Sequence, residues 1–494
     1  MPEHTAATPG RTPIGAAFAE LARQAPDRAA LTVAGTVLTR AELEARTNRL
    51  ARAYQRLGVG EGSFVTIALP TGAEFLEAVL AVWKAGATPQ PVSHRMPRRE
   101  LEAIITLADP DLVVGLLDIA DRPCVPVGFT PAPELSDGPL PDAIAPWLKA
   151  PTSGGSTGRP KLIVSTEPAT AEALTAFGEL VRIPAHGVLL STGPLSHNGP
   201  LFTTAAALLA GCHVVVLPRF DAAEALDAIG RHGVEWMYSV PTMLNRIAAL
   251  PESVRAGADL SSLRTVITMA ASCPQALREF CLGYFGPAVM LELYAATEAH
   301  AIVLADGHDW RERPGSVGRP VVGEIEVRGP DGSVLGPGAI GELWMRRSAG
   351  QAGPYRYVGA TAQRAADGWE TVGDLGCFDE DGYLYLADRK TDMIIVGGLN
   401  VYPAEVEGAL EEHPAVTAAC VVGLPDNDYG QTIHAVLNVS APVTDGELIA
   451  HLRERVVPYK LPHSIEHVSG ALRDEAGKTR RGRVREQALA RIGR

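Results

Sequence analysis

The chain has 494 residues, of which 46% are hydrophobic, and a net charge of -13 at pH 7. This length exceeds what one hydrophobic core usually serves, so we expect a large body and at least one smaller domain. The acidic balance excludes nucleic acid as the main partner, because binding to phosphate backbones requires a basic surface. The sequence lacks both a membrane-spanning apolar run and a signal peptide, so we expect a cytoplasmic protein. The six cysteines form no C-x-x-C pair, which argues against a zinc site or a disulfide framework.

The first half of the chain predicts an α/β body. Thr39 is a suitable N-cap for an early helix. A strand-like segment at 63–69 leads into a helix from Ala73 to Lys84, which we expect Gly86 to terminate. Further apolar runs, which imply parallel strands covered by helices, occupy residues 187–192, 213–218 and 234–240.

The pattern of apolar and polar residues changes near residue 310. From there, apolar and polar residues alternate in short segments separated by Gly- and Asp-containing turns, which predicts antiparallel hairpins. A new α/β unit follows residues 388–392 and includes a helix from Pro403 to Leu410. We therefore predict two domains, residues 1–387 and residues 388–494.

The segment from Thr152 to Lys161 is the strongest functional signal. Its glycines can turn backbone N–H groups inward, its hydroxyls add donors, and its two cations supply charge, as a polyphosphate requires. Pro160 stands where a P-loop needs a helix start, which excludes the usual ATPase loop. A flexible Ser/Gly linker is the alternative, although apolar, strand-like residues follow. The candidate phosphate-binding residues are Thr152, Ser153, Gly154, Gly155, Ser156, Thr157, Gly158 and Lys161.

Two polar residues follow an apolar run at 289–293. Thr297 and Glu298 would lie just past a strand end, where open α/β sheets bind ligands. A hydroxyl and a carboxylate there could hold phosphate and Mg²⁺, which takes one or two protein carboxylates. A capping Thr-Glu pair at a helix start is the alternative interpretation.

Other polar residues give weaker signals when taken singly. Asp374 ends a Gly-containing turn, and a carboxylate there suits a ribose diol. Arg389 and Lys478 are cations on expected flexible elements, where a solvated surface is the usual explanation. His197 lies in a loop of turn-forming residues, without the Ser and Asp partners of a catalytic triad.

Taken in order, these segments resemble the adenylate-forming superfamily of acyl-CoA synthetases, adenylation domains and luciferases, over almost the whole chain. The resemblance implies a large N-terminal domain of α/β subdomains plus a β-rich subdomain, followed by a small mobile α+β domain. The matching segments are 38–43, 83–87, 152–161, 294–298, 371–374, 389–407 and 477–478.

The resemblance also implies roles for individual residues. The 152–161 loop would hold the ATP phosphates, Tyr294 would stack on adenine, and Glu298 would bind Mg²⁺. Lys478 would bridge the carboxylate and phosphate as charge develops, which is electrostatic transition-state stabilisation. The catalytic residues would be Lys478, Thr297 and His197. The nucleotide contacts would be made by Asp374, Arg389, Ala270, Ala271, Ser272, Glu292, Tyr294 and Ala295.

A second step is implied as well, in which the C-terminal domain rotates and a coenzyme A or carrier-protein thiol attacks the acyl-adenylate. Gly397 and Gly398 would then line the pantetheine tunnel. Thr391 replaces the usual Asp or Lys of the hinge, and Ala295 replaces a usual Gly. A homodimer is expected by analogy alone.

The acid substrate is less clearly indicated. Gly154-Gly155 and the candidate acid-binding residues look closest to enzymes for bulky ring acids, such as bile-acid-type, steroid or terpenoid carboxylates, and aryl-acid enzymes share these features. Two other hypotheses remain open: the protein is an enzyme that only adenylates its acid, or it is a non-catalytic binding protein. The candidate acid-binding residues are His197, Asn198, Tyr238, Ala295, Gly397 and Gly398.

Overall fold

The computed structural model describes residues 11–116, 118–119, 121–154, 160–347, 353–396, 399–426, 429–474 and 477–492. Its helices are α1 (Ile14–Gln24), α2 (Arg40–Arg56), α3 (Ala73–Lys84), α4 (Arg98–Ala108), α5 (Ala171–Leu180), α6 (Asn198–Leu209), α7 (Ala222–His232), α8 (Pro241–Ala248), α9 (Glu252–Ala256), α10 (Gln275–Tyr284), α11 (Gly307–Glu312), α12 (Pro403–Glu411), α13 (Asp445–Arg453) and α14 (Arg481–Ile492).

The strands of the α/β region are β1 (Ala29–Val33), β2 (Thr36–Thr39), β3 (Phe64–Ile67), β4 (Thr88–Pro91), β5 (Leu112–Val114), β6 (Cys124–Val125), β7 (Thr152–Gly154), β8 (Pro160–Ser165), β9 (Val188–Ser191), β10 (His213–Val216), β11 (Trp236–Ser239), β12 (Thr265–Met269), β13 (Met290–Tyr294), β14 (Ile302–Asp306) and β15 (Arg319–Val322). The later strands are β16 (Glu324–Arg328), β17 (Gly341–Arg346), β18 (Tyr355–Val358), β19 (Gln363–Arg364), β20 (Glu370–Phe378), β21 (Leu384–Arg389), β22 (Ile394–Val396), β23 (Leu399–Val401), β24 (Val416–Asp426), β25 (Gly430–Val439) and β26 (Ser464–His467).

A nine-stranded sheet forms the centre of the N-terminal region, in the order β15-β14-β13-β12-β11-β9-β10-β1-β2. Its strands from β13 to β1 are parallel, and only the edges are antiparallel. Helices cover both faces of this sheet. Because its strands are buried on both sides, their sequences are continuous apolar runs. A second, four-stranded parallel sheet has the order β4-β3-β5-β6. The predicted α/β body is confirmed.

Local signals explain the first helices. The Thr39 hydroxyl accepts a hydrogen bond from the Glu42 backbone N–H at 3.2 Å, and the Thr39 N–H donates to the Glu42 carboxylate at 2.8 Å. This capping box starts α2, as predicted. Helix α3 has the predicted bounds, and Gly86 follows it with φ +76°, a left-handed conformation that favours glycine.

The β-rich region begins after β15. Strands β16, β17, β20, β19 and β21 form an antiparallel sheet, as the alternating pattern predicted. A separate antiparallel sheet has the order β18-β8-β7, so β18 pairs with the strand that follows residues 155–159. This pairing connects the β-rich region to the α/β body.

The C-terminal region is a small α+β unit, as expected. Strands β24, β25 and β26 form one sheet, and its helices enclose a separate hydrophobic core that includes Val406, Val421 and Leu437. The predicted domain boundary at residue 388 lies inside β21, and that core begins at Ile394. In the described parts of the chain, every helix is too short or too polar to cross a membrane.

Candidate active site

Several predicted site residues meet at one edge of the large sheet. The parallel strands β9, β11, β12 and β13 place their carboxyl ends side by side. The segments that follow them carry His197, Ala270 and Ala295, and Tyr238 lies near the end of β11. Open α/β sheets bind their ligands at this edge.

The predicted phosphate loop joins two paired strands. Ser153 of β7 lies opposite Lys161 of β8, so the loop connects strands of one sheet and is not a linker between domains. The side chain of Thr152 accepts a hydrogen bond from Gln90 at 3.4 Å. The predicted ligand residues Gly155, Ser156, Thr157 and Gly158 lie outside the described residues.

Glu298 is a buried carboxylate that faces this hairpin. Its Oε1 lies 3.5 Å from Lys161 Nζ and accepts a hydrogen bond from the Tyr357 hydroxyl. Lys161 Nζ also lies 3.9 Å from the centroid of the Tyr357 ring. In the described chain, Oε2 has no hydrogen-bond partner. A carboxylate with one oxygen available fits a Mg²⁺ site that is completed by water and phosphate oxygens.

A second carboxylate lies where the β-rich sheet meets the α/β body. Asp374 pairs with Arg389 across β20 and β21, with 3.2 Å between Arg389 Nε and Asp374 Oδ1. The Tyr294 hydroxyl donates to Asp374 Oδ2 at 2.7 Å. Burial, together with the Asp374 carboxylate, raises the pKa of Tyr294 well above its ordinary value, so its hydroxyl remains a donor. The arrangement presents a carboxylate and a cation that suit a ribose diol.

Lys478 reaches the same cleft from the C-terminal region. A Cβ atom added to Gly477, which has φ +77°, would lie 3.1 Å from Thr242 Oγ1, so this loop packs against the N-terminal body. Lys478 is exposed to solvent, and the protein atoms near it partly desolvate its ammonium group. This desolvation lowers the pKa of Lys478, the Arg389 charge lowers it further, and carboxylates including Glu298 and Asp374 oppose the shift.

His197 immediately precedes α6 and lies near Lys478. Burial lowers the pKa of His197, and the positive charges of Lys478 and Arg480 lower it further, against the opposing effect of Asp474. The imidazole is therefore neutral at pH 7, because its ordinary pKa of 6.5 already lies below that pH.

Three of the predicted acid-binding residues, His197, Asn198 and Tyr238, lie at the start of α6 or against it. Tyr238 is 2% exposed, and its hydroxyl forms no hydrogen bond with the described residues. A Cβ atom added to Gly199 would lie 2.9 Å from Met269 Sδ and 3.2 Å from the Tyr238 hydroxyl. Helix α6 therefore packs closely against the ends of β11 and β12.

The other predicted site residues lie in several different parts of the structure. The Glu292 carboxylate lies 2.8 Å from both Arg278 Nη2 and Trp310 Nε1 in the interior. Ala270 has φ +75°, an uncommon conformation for a residue with a side chain. Ala271, Ser272 and Thr297 lie in the turns after β12 and β13, and Gly397 and Gly398 lie outside the described residues.

Sequence reasoning missed Lys149, Gly199, Met269 and Tyr357. Tyr357 is brought to Glu298 by the pairing of β18 with β8, a long-range contact without a local signal. Lys149 did give a signal, because it interrupts the buried residues Leu148 and Ala150 just before β7.

Comparison with known proteins gives the family. The AMP-binding enzyme model matches residues 18–355, and the model of the AMP-binding enzyme C-terminal domain matches residues 405–480. Feruloyl-CoA synthase of Amycolatopsis sp is 32% identical over 490 residues, which cover 94% of this chain and 97% of that relative.

Solved structures agree with this assignment. o-Succinylbenzoate CoA synthetase from Bacillus subtilis, solved with an acyl-adenylate, has a TM-score of 0.79 and 26% identity, and the match covers 95% of this chain and 97% of that one. Amide bond synthetase from Marinactinospora thermotolerans has a TM-score of 0.82 and 28% identity, covering 96% and 100%. The chain belongs to the AMP-binding enzyme family.

Proposed function

We propose that this enzyme is an AMP-forming acid–CoA ligase that acts on an aromatic carboxylic acid. An oxygen of the acid attacks the α-phosphorus of ATP, pyrophosphate leaves, and an acyl-adenylate forms. The sulfur of coenzyme A then attacks the acyl carbon, and AMP leaves. ATP and coenzyme A are the co-substrates, and Mg²⁺ is the metal ion.

One observation carries this proposal: Lys478 shares a cleft with Glu298, Asp374 and Arg389, although the chain separates them widely. The Lys478 ammonium would stabilise the negative charge that develops between the carboxylate and the α-phosphate. Asp374 and Arg389 would orient the ribose, and Glu298 would hold Mg²⁺, which neutralises charge on the departing phosphates. Because His197 is neutral, Lys478 would be the residue that stabilises the negative charge of the incoming acid.

Two relatives support an aromatic substrate. Feruloyl-CoA synthase and o-succinylbenzoate CoA synthetase are named for aromatic acids. The proposal therefore replaces the steroid or terpenoid acid that the sequence favoured with the aryl acid that it kept as an alternative.

A second candidate function keeps adenylation but delivers the acyl group to an amine or a carrier protein. Similarity to an amide bond synthetase along nearly the whole chain supports it. The acceptor, the rotation of residues 388–494 and a homodimer remain predictions.

Acid-dependent exchange of labelled pyrophosphate into ATP tests the adenylation step. We expect exchange with benzoic or cinnamic acids, and little or none with steroid or terpenoid acids. Thioester formation after the addition of coenzyme A would support the ligase, whereas amide formation with added amines and no thioester would support the second candidate. Absence of exchange with every acid would contradict both.

A further inference from the structure

Lys149 is a lysine beside the acid pocket that forms no ion pair with the described residues. Its Nζ donates a hydrogen bond to Asn198 Oδ1 and lies 4.0 Å from the centroid of the Phe202 ring. Glu167 raises the pKa of Lys149 but forms its own ion pair with Arg347 at 3.4 Å. The sequence of residues 155–159 contains no acidic residue.

The ammonium group remains charged at neutral pH. Burial lowers the pKa of Lys149 to about 8, and the remaining positive charge is held by the Asn198 oxygen and by the face of an aromatic ring. Keeping an unpaired ammonium group in such a position is unfavourable, which suggests that it has a specific role.

That role follows from hydrogen-bond chemistry. An ammonium group has donors and no acceptor, so the Asn198 atom that faces Lys149 must be the oxygen. The Nδ2 group of Asn198 is therefore directed away from Lys149, and no acceptor in the described chain hydrogen-bonds to it. Asn198 begins α6, directly after His197, which lies near Lys478. In the proposed site, the Asn198 N–H donors would therefore be available to the bound acid.

We propose that Lys149 is a positioning residue that sets substrate choice through Asn198. Lys149 holds the Asn198 carboxamide with its N–H donors toward the acid, so the preferred acid carries a hydrogen-bond acceptor on the atom next to its carboxyl-bearing carbon. This inference rests on the proposed function. Without Lys149, the amide can rotate and offer either its oxygen or its nitrogen, and the preference for an acceptor is lost.

Two pairs of acids test this inference, and within each pair an ether oxygen replaces a methylene group. 2-Methoxybenzoate and 2-ethylbenzoate have nearly the same shape, as do β-methoxycinnamate and β-ethylcinnamate, but only the methoxy acids offer an acceptor at that position. We expect the wild-type enzyme to prefer the methoxy acid by about tenfold in kcat/KM for pyrophosphate exchange, the effect of one hydrogen bond. Lys149→Met keeps an apolar stem over Phe202 and removes the ammonium group. The methoxy-to-ethyl ratio should then approach one.

A double variant separates positioning from a general structural effect. If Lys149 acts through Asn198, Lys149→Met/Asn198→Leu should show the same ratio as Asn198→Leu alone. Lys460→Met serves as the control, because Lys460 pairs with Glu405 in the C-terminal region, at 2.5 Å, and should leave the ratio unchanged. Thermal melting and ATP binding report whether each variant is folded.

The outcomes distinguish the inference from the proposed function. Exchange by the wild type with a ratio that Lys149→Met does not change would overturn the inference alone, as would additive effects in the double variant. Absence of exchange with all four acids would overturn the aromatic-acid proposal and the inference with it. Loss of the ratio in Lys149→Met, with no further change in the double variant, would support the inference.

Discussion

The two sides of the cleft differ in how their polar groups are satisfied. On the nucleotide side, Asp374 pairs with Tyr294 and Arg389, and Glu298 contacts Lys161 and Tyr357. On the acid side, the Tyr238 hydroxyl and the Asn198 amide nitrogen have no partner in the described chain.

We interpret this difference as a division of roles, in which the nucleotide side serves catalysis and the acid side serves substrate specificity. Polar groups that hold one another in place form a preorganised site, which suits a nucleotide that is the same in every reaction. Unpartnered polar groups are available to hydrogen-bond a ligand, and a ligand that leaves them unpaired binds less well. Changes on the nucleotide side should therefore affect every acid, and changes on the acid side should affect some acids more than others.

Lys478→Ala should have the largest effect. Removing the cation that stabilises developing charge should lower the rate of adenylation by about 100- to 1,000-fold for every acid, while ATP still binds. Pyrophosphate exchange and equilibrium ATP binding measure the two quantities. Arg483→Ala in α14 is the control and should change exchange little, because the Arg483 side chain is exposed. An acid-selective loss in Lys478→Ala would contradict the division between the two sides.

Asp374→Asn should have the second-largest effect. Loss of charge-assisted hydrogen bonds to the ribose, worth about 1.5–3 kcal/mol, should raise the KM for ATP by about 10- to 100-fold and leave the KM for the acid nearly unchanged. Asp367→Asn is a matched control, because Asp367 is an exposed turn residue paired with Arg328 at 2.7 Å. An equal rise in KM for both substrates would mean that Asp374 acts through the fold and not on ATP.

Gly199→Ala tests the acid side. Its added methyl would lie 2.9 Å from Met269 Sδ, and such overpacking costs about 1–3 kcal/mol. We expect the KM of a bulky acid to rise about tenfold or more, the KM of a slender acid less, and the KM for ATP hardly at all. Gly408→Ala in α12 is the control, since nothing lies within 4 Å of a Cβ atom there. If ATP and acid were affected equally, the acid pocket would lie elsewhere.

Tyr357→Phe should have the smallest effect. The variant keeps the ring under Lys161 but removes the hydrogen bond to Glu298. We expect the Mg²⁺ concentration for half-maximal exchange to change by about threefold to tenfold, in line with one hydrogen bond to a charged group. Tyr355→Phe removes a similar bond, to Glu370 at 2.6 Å, and should reduce thermal stability without changing the Mg²⁺ requirement. Identical Mg²⁺ curves for wild type and Tyr357→Phe would contradict the role of Tyr357.

Local features of the fold were predictable, because their causes are local. The capping box at Thr39 and the glycine at Gly86 define the bounds of α2 and α3 within a few neighbouring residues. The order of polar motifs indicated the family before any contact was known, and the family models confirm it.

Contacts between distant segments could not be predicted. The hydrogen bond from Tyr357 to Glu298 depends on the pairing of β18 with β8, and the bond from Lys149 to Asn198 depends on how α6 packs beside the segment before β7. Neither contact leaves a periodic or compositional pattern. The acid pocket is built from such contacts, which is why the sequence favoured a bulky alicyclic acid that the relatives do not support.

The products formed from ATP, an aromatic acid and coenzyme A test the central claim most directly. Mass spectrometry of a single reaction should show the acyl-CoA thioester, AMP and pyrophosphate in equal amounts, and all three should depend on the acid. Formation of ADP and phosphate, or nucleotide cleavage that does not depend on the acid, would contradict an AMP-forming acid–CoA ligase.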